Sequence, residues 1–149
     1  MAILLDTSIL ARLANSSDRL YAVADGALAR LRLRAEVLFL TPQNFVEFWN
    51  VATRPVAVNG LGLTPAETKI KVDGFAVSFP VLDDTPAIFP AWLALVDALG
   101  VLGKQVHDAR LAACCYIGGI DSILTFNVQH FARFANYGPG LRVLDPATV

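Results

Sequence analysis

The chain has 149 residues, 55% hydrophobic and 17% charged, with 12 Lys and Arg against 13 Asp and Glu for a formal net charge of −1. That is one domain's length, too apolar for a disordered segment and without the basic excess that holds nucleic acid by bulk charge. Thr85 to Val96, 12 residues, is as long as any stretch free of charged side chains, whereas a membrane-spanning helix needs roughly 20.

The first element is the apolar run Ala2 to Leu5, read as a buried strand, with Asp6 directly after it. No basic segment precedes it and the acid comes too early for a secretion signal, so a cytoplasmic protein is expected. Asp18 to Glu36 carries Leu20, Val23, Ala24, Ala27, Leu28 and Leu31 at helical spacing, with Arg30, Arg32 and Arg34 near the end, where cations suit the helix dipole. Val37 to Leu40 is a second strand. Thr41-Pro42 then reads as cap and first residue of a helix that stops near Arg54-Pro55. Asn59 to Gly62 is a loop, and Thr64-Pro65-Ala66-Glu67 opens another helix, to about Ser78.

Phe79 to Leu82 is expected as a short third strand, followed by a helix from Thr85 to Leu99 closed by Gly100. Gly103 to His107 reads as a connection and Asp108 to Ile117 as a helix. Ser122 to Thr125 is a strand, Asn127 to Phe134 a short helical turn, and Leu141 to Leu144 the last strand. Apolar strands alternating with helices predict an α/β fold. It is a single domain over residues 1–149, with a mostly parallel central sheet of four to five strands covered by helices on both faces. In such a fold the ligand site lies at the carboxyl ends of the strands.

Cys114 and Cys115 are the only cysteines and are neighbours, which excludes a disulfide framework and a cysteine-based zinc site. They read as small buried side chains on a helix. An apolar fraction this high in so small a domain predicts a homo-oligomer or a protein partner.

Three acids fall where the strand-end rule points. Asp6 follows the first strand, Glu47 lies in the helix after the second, and Asp108 opens a later helix. Each has an ordinary alternative: Asp6 as a helix cap, Glu47 with Gln43 and Asn50 on a solvated strip, Asp108 as a first-turn acid. Asn127, after the strand ending at Thr125, has the same capping alternative. Together, acids at adjacent strand ends make a pocket whose mutual repulsion a cation would relieve, and oxygen ligands favour Mg²⁺ or Mn²⁺ over zinc. Without these three acids the net charge goes from −1 to +2, a mildly basic remainder compatible with a phosphodiester substrate. Lys104, Arg110 and Arg12 are candidates for phosphate contacts, with surface ion pairs as the alternative. Most of Phe45, Phe48, Trp49, Phe126, Phe131 and Phe134 are expected in the core rather than stacked on bases.

Four segments carry a family resemblance: Ile3-Leu4-Leu5-Asp6-Thr7-Ser8, Pro42-Gln43-Asn44-Phe45-Val46-Glu47-Phe48, Gly103 to Ala113 with His107-Asp108-Ala109-Arg110 inside it, and Ile123-Leu124-Thr125-Phe126-Asn127. In that order and spacing the chain resembles the PIN-domain ribonucleases, and within them the VapC-type toxins of toxin–antitoxin pairs. The resemblance implies a three-layer PIN-like sandwich and a Mg²⁺- or Mn²⁺-dependent endoribonuclease that hydrolyses RNA. It implies Asp6, Glu47 and Asp108 as catalytic acids and metal ligands, with Thr7, Ser8 and Thr125 in support. A cognate antitoxin is the implied partner, in a homodimer or a toxin–antitoxin hetero-oligomer. Asn127 stands where the family often has a fourth acid; it supplies an oxygen but no charge. His130, close by, is a substitute ligand or proton donor in one reading and an ordinary packed or solvated histidine in the other. The competing function is a catalytically weak binding module acting through an antitoxin and operator regulation, favoured by Asn127. Receiver domains, aspartyl phosphatases and nucleotide-cofactor enzymes fit poorly. Only one acid follows the first strand, Asp6-Thr7-Ser8 is not Asp-x-Asp, and no glycine-rich phosphate loop is present.

Overall fold

Four consecutive apolar residues, Ala2–Leu5, form β1 of the computed structural model, which describes residues 1–149. Ile3, Leu4 and Leu5 are all fully buried. A strand hides every side chain only when both faces of its sheet are covered. Ile3 and Leu5 pack with Ile9, Leu28, Leu31 and Phe48 on one face. Leu4 packs with Leu111, Ile123, Phe131 and Phe134 on the other. Each buried side chain stabilises the fold by about 1.5–3 kcal/mol.

The other strands are β2 (Val37–Phe39), β3 (Ser122–Leu124) and β4 (Arg142–Leu144). They form one sheet in the order β2-β1-β3-β4, with every neighbouring pair parallel. Leu4 stands opposite Phe39 on one side and Ile123 on the other, and Leu5 opposite Leu124. Because all four strands point the same way, their carboxyl ends share one edge. The chain leaves β1 there at Asp6 and β3 at Thr125.

Seven helices cover the sheet: α1 (Thr7–Leu13), α2 (Tyr21–Leu33), α3 (Pro42–Thr53), α4 (Pro65–Ser78), α5 (Ile88–Leu99), α6 (Gln105–Gly118) and α7 (Val128–Phe131). Both expected Thr-Pro starts are reciprocal capping boxes, Thr41 with Asn44 and Thr64 with Glu67. Gly100 and Gly119 end α5 and α6 in the left-handed conformation, where a Cβ would cost energy.

Several boundaries differ from the sequence expectation. Phe79 to Leu82 is no strand: it makes one parallel bridge, Leu40 to Val81. Pro80 offers a carbonyl but no N–H, and the pairing consists of Leu40 N–H to the Pro80 carbonyl at 3.0 Å and Leu82 N–H to the Leu40 carbonyl at 2.8 Å. Helix α2 begins at Tyr21 rather than Asp18, because the Asp18 carboxylate accepts from the Leu20 N–H at 2.8 Å and makes a turn of its own. Helix α6 begins at Gln105, three residues before Asp108, so Asp108 is a first-turn residue and not the opening one.

No helix is long and apolar enough to cross a membrane. Leu33, Val46, Ile70, Val77, Phe89 and Leu102 remain exposed, which is where the surplus apolar surface noted in the composition goes. Cys114 and Cys115 are buried free thiols on α6. Burial pushes the Cys114 thiol up to about 11 and raises that of Cys115 as well.

Candidate active site

Asp6 is the first residue beyond β1, and its N–H is held by the Leu124 carbonyl at 2.9 Å. Its side chain makes no capping bond to α1. Instead Oδ2 accepts from Ser8 Oγ at 2.6 Å and from Thr125 Oγ1 at 2.8 Å. Two hydroxyl donors, one from α1 and one from the end of β3, thus orient one carboxylate that is only 3% exposed. Its other oxygen carries no hydrogen bond. Thr125 Oγ1 also accepts from the Asn127 N–H at 2.9 Å, so it lies beneath the site and ties Asp6 to the turn after β3.

Glu47 comes from the middle of α3. Thr7 Oγ1 donates to its Oε2 at 2.5 Å and Gln43 Nε2 to its Oε1 at 2.6 Å. Asn44 fixes the base of α3 against the end of β1. Its Nδ2 donates to the Leu5 carbonyl at 3.0 Å and to Thr7 Oγ1 at 3.2 Å, while its Oδ1 serves the capping box. Glu47 is therefore a partly buried, fully bonded carboxylate rather than part of a solvated strip.

Asp108 projects from the first turn of α6, with Oδ2 3.3 Å from His130 Nδ1. Burial pushes its carboxyl up, the charges of Asp6 and Glu47 push it further, and His130 pulls it partly back, leaving it at about 6. Asp6, Thr7, Ser8, Glu47, Asp108, Asn127 and His130 all line one cavity of about 600 Å³ at the carboxyl edge of the sheet. Asn127 precedes α7 but its side chain makes no capping bond, so it is free to face the cavity.

Of the expected phosphate contacts, Arg12 and Lys104 line this cavity. Arg12 already donates to Asp18 at 2.7 Å. Arg110 does not line it: it borders a neighbouring cavity of about 350 Å³ with Phe89, Trp92, Val106 and His107. Its guanidinium donates to Gln43 Oε1 at 3.1 Å and to Asp84 at 3.2 Å. Among the aromatic residues, Phe48, Phe131 and Phe134 are core, whereas Phe126 borders the acidic cavity and Trp49 is 38% exposed.

Sequence reasoning gave no functional role to Gln43, Asn44, Asn50 or Arg54 and set Gln43 and Asn50 only on a solvated strip. Gln43, Asn50 and Arg54 line the acidic cavity. The Thr41-x-x-Asn44 spacing and the four-residue step from Gln43 to Glu47 are local signals for two of them. Arg54 carries no such signal.

No three His, Cys, Asp or Glu side chains converge tightly enough to grip one ion as they stand. The donor chemistry nevertheless fits a hard divalent cation. Three carboxylates face one cavity, one Asp6 oxygen is unbonded, and Asp108 is held back from ionising by burial and like charge. A cation among them removes that penalty, and the donors are oxygens, which Mg²⁺ and Mn²⁺ prefer.

A family model described as PIN domain matches residues 3–137. Among solved structures, VapBC2 from Rickettsia felis bound to a DNA fragment from their promoter is similar at a TM-score of 0.70, with 16% identity over 97% of this chain and 98% of that one. VapBC-1 from nontypeable Haemophilus influenzae is similar at 0.66, with 17% identity over 99% and 100%. VapC20 from Mycobacterium tuberculosis, described as a sarcin–ricin loop cleaving toxin, is similar at 0.61, with 21% identity over 88% and 94%. A search of curated proteins finds no match.

Proposed function

The chain belongs to the PIN domain family, and from that premise we propose that it is a divalent-metal-dependent endoribonuclease and the toxin of a toxin–antitoxin pair. One observation carries the reading. Asp6, Glu47 and Asp108, from three separate elements, line a single cavity at the carboxyl edge of a parallel sheet, and Asp108 is charge-frustrated there. The similar structures include VapBC2, VapBC-1 and a sarcin–ricin loop cleaving toxin, which supports an antitoxin partner and an RNA substrate here.

Asp6 and Asp108 would hold the cation, Glu47 would complete its charge balance, and Asn127 would offer a neutral oxygen. When bound, Mg²⁺ or Mn²⁺ supplies Lewis-acid activation of a water and stabilises charge developing on the phosphate. Ser8 and Thr125 keep the bonded oxygen of Asp6 in place, which leaves the other turned to the ligand. Thr7 and Gln43 fix the orientation of the Glu47 carboxylate. Lys104, which makes no ion pair, is the freest of the three lysine and arginine side chains lining the cavity for a substrate phosphate, since Arg12 is shared with Asp18 and Arg54 donates to the Asn59 carbonyl. Hydrolysis of this kind leaves 5′-phosphate and 3′-hydroxyl ends.

The test is a cleavage assay on a panel of transfer and ribosomal RNA fragments with Mg²⁺, Mn²⁺ or EDTA, with wild type beside Asp6→Asn. Metal-dependent cuts that vanish in Asp6→Asn support the reading. Products ending in 2′,3′-cyclic phosphate overturn it, because they mark attack by the ribose hydroxyl. The second reading is a binding module that acts through its partner, and Asn127 favours it, since a neutral side chain leaves the cavity one charge poorer. Folded protein that captures an antitoxin yet cuts no RNA with either metal would establish that reading instead.

A further inference from the structure

Gln43 is 9% exposed, and each atom of its amide has a partner. Nε2 donates to Glu47 Oε1 at 2.6 Å and to the His107 carbonyl at 2.8 Å. Oε1 accepts from Arg110 Nη1 at 3.1 Å. The orientation is chemically forced. A carboxylate and a carbonyl only accept, and a guanidinium only donates, so a flipped amide would set like against like at all three contacts. Arg110 is in turn held by Asp84 at 3.2 Å.

The contacts span the cavity in a particular way. Glu47 is on α3, and His107 is the residue directly before Asp108 on α6. One side chain therefore fastens the α3 acid to the backbone that carries the α6 acid. We propose that Gln43, with its amide direction fixed by Arg110, is a positioning residue that sets the separation and orientation of Glu47 and Asp108, and so the capacity of the cavity to hold its cation. This rests on the metal-dependent reading above. It also gives Arg110 a role at the site without substrate contact. Serving as a phosphate ligand would require Arg110 to leave both Gln43 and Asp84.

The variant is Gln43→Met, which keeps length and volume but has neither amide donor nor amide acceptor. Partners that orient a ligand typically govern its metal affinity by 10–100-fold. Calorimetry with Mn²⁺ alone should show about tenfold weaker binding, with kcat on RNA lowered and KM unchanged. Arg110→Met, which leaves Gln43 in place but removes what orients it, should show a smaller loss in the same direction. A lowered thermal midpoint with Mn²⁺ affinity untouched would reduce Gln43 to packing and overturn the proposal.

If wild type itself binds no Mn²⁺ and cuts no RNA, the functional reading fails, and the clamp is judged separately on the metal-free protein. The side-chain amide of Gln43 should then give two distinct, slowly exchanging NMR signals that move in both Arg110→Met and Glu47→Gln. Signals at the exposed-amide position, indifferent to both changes, would overturn the clamp.

Discussion

Glu47 and Asp108 face the same cavity from opposite flanks, one on α3 and one on α6, and their surroundings differ sharply. Glu47 has a donor on each oxygen, from Thr7 and Gln43. Asp108 has one partner, His130 at 3.3 Å, and its carboxyl is driven up to about 6 by burial and by the other two acids. The α3 flank is preassembled: its acid is held by two fixed donors, which would cost no reorganisation on ligand binding. On the α6 flank a bound cation would relieve the penalty that burial and like charge place on Asp108. The molecule thus divides the work between an acid that is held and an acid that waits.

The comparison can be broken most forcefully at Asp6, which lines the same cavity. Asp6→Asn should lower single-turnover cleavage by about 10²–10³-fold, the cost of one charge-stabilising group at a reacting centre. An equal loss from Ser8→Ala would show that orientation, not charge, is what Asp6 supplies. Next comes a control two residues back from Asp6 along β1. Leu4→Ala should cost about 2–5 kcal/mol of stability in urea unfolding without changing Mn²⁺ affinity in the protein that remains folded.

Asp108→Asn should have the opposite sign. The folded protein binds the Asp108 proton more tightly than the unfolded chain, about 6 against 3.8. Stability of the metal-free protein therefore falls as pH rises from about 4 through about 6, and Asp108→Asn should remove that slope. The gain at pH 7 is of order 1–3 kcal/mol, read as a higher thermal midpoint in EDTA. A metal-free protein whose midpoint does not respond to this change would mean that Asp108 is not frustrated. The smallest expected effect is from Asn127→Asp. A fourth charge at the exposed rim should tighten Mn²⁺ about three- to tenfold and steepen the same pH slope.

The fold was largely legible because its signals are local. β1 is an unbroken apolar run, and the starts of α3 and α4 carry cap, proline and reciprocal partner within four residues. Phe79 to Leu82 misled because apolar composition alone does not reveal that Pro80 removes a donor. The three acids were legible as strand-end and helix residues, but not their contrast. The partners that distinguish them lie far off in the chain: Thr7 is 40 residues from Glu47, Thr125 is 119 from Asp6, and Arg110 is 67 from Gln43. Such contacts exist only after the sheet and helices have packed.

The strand order has a consequence in time. β1 lies between β2 and β3, so during synthesis it waits for a neighbour made more than a hundred residues later. A nascent chain completed only to Gly118 already contains Asp6, Glu47 and Asp108, yet lacks β3, Thr125 and His130. One edge of β1 is open in that chain, and the hydroxyl that steadies Asp6 is missing. The carboxylate pocket therefore stays incomplete during most of synthesis by topology alone.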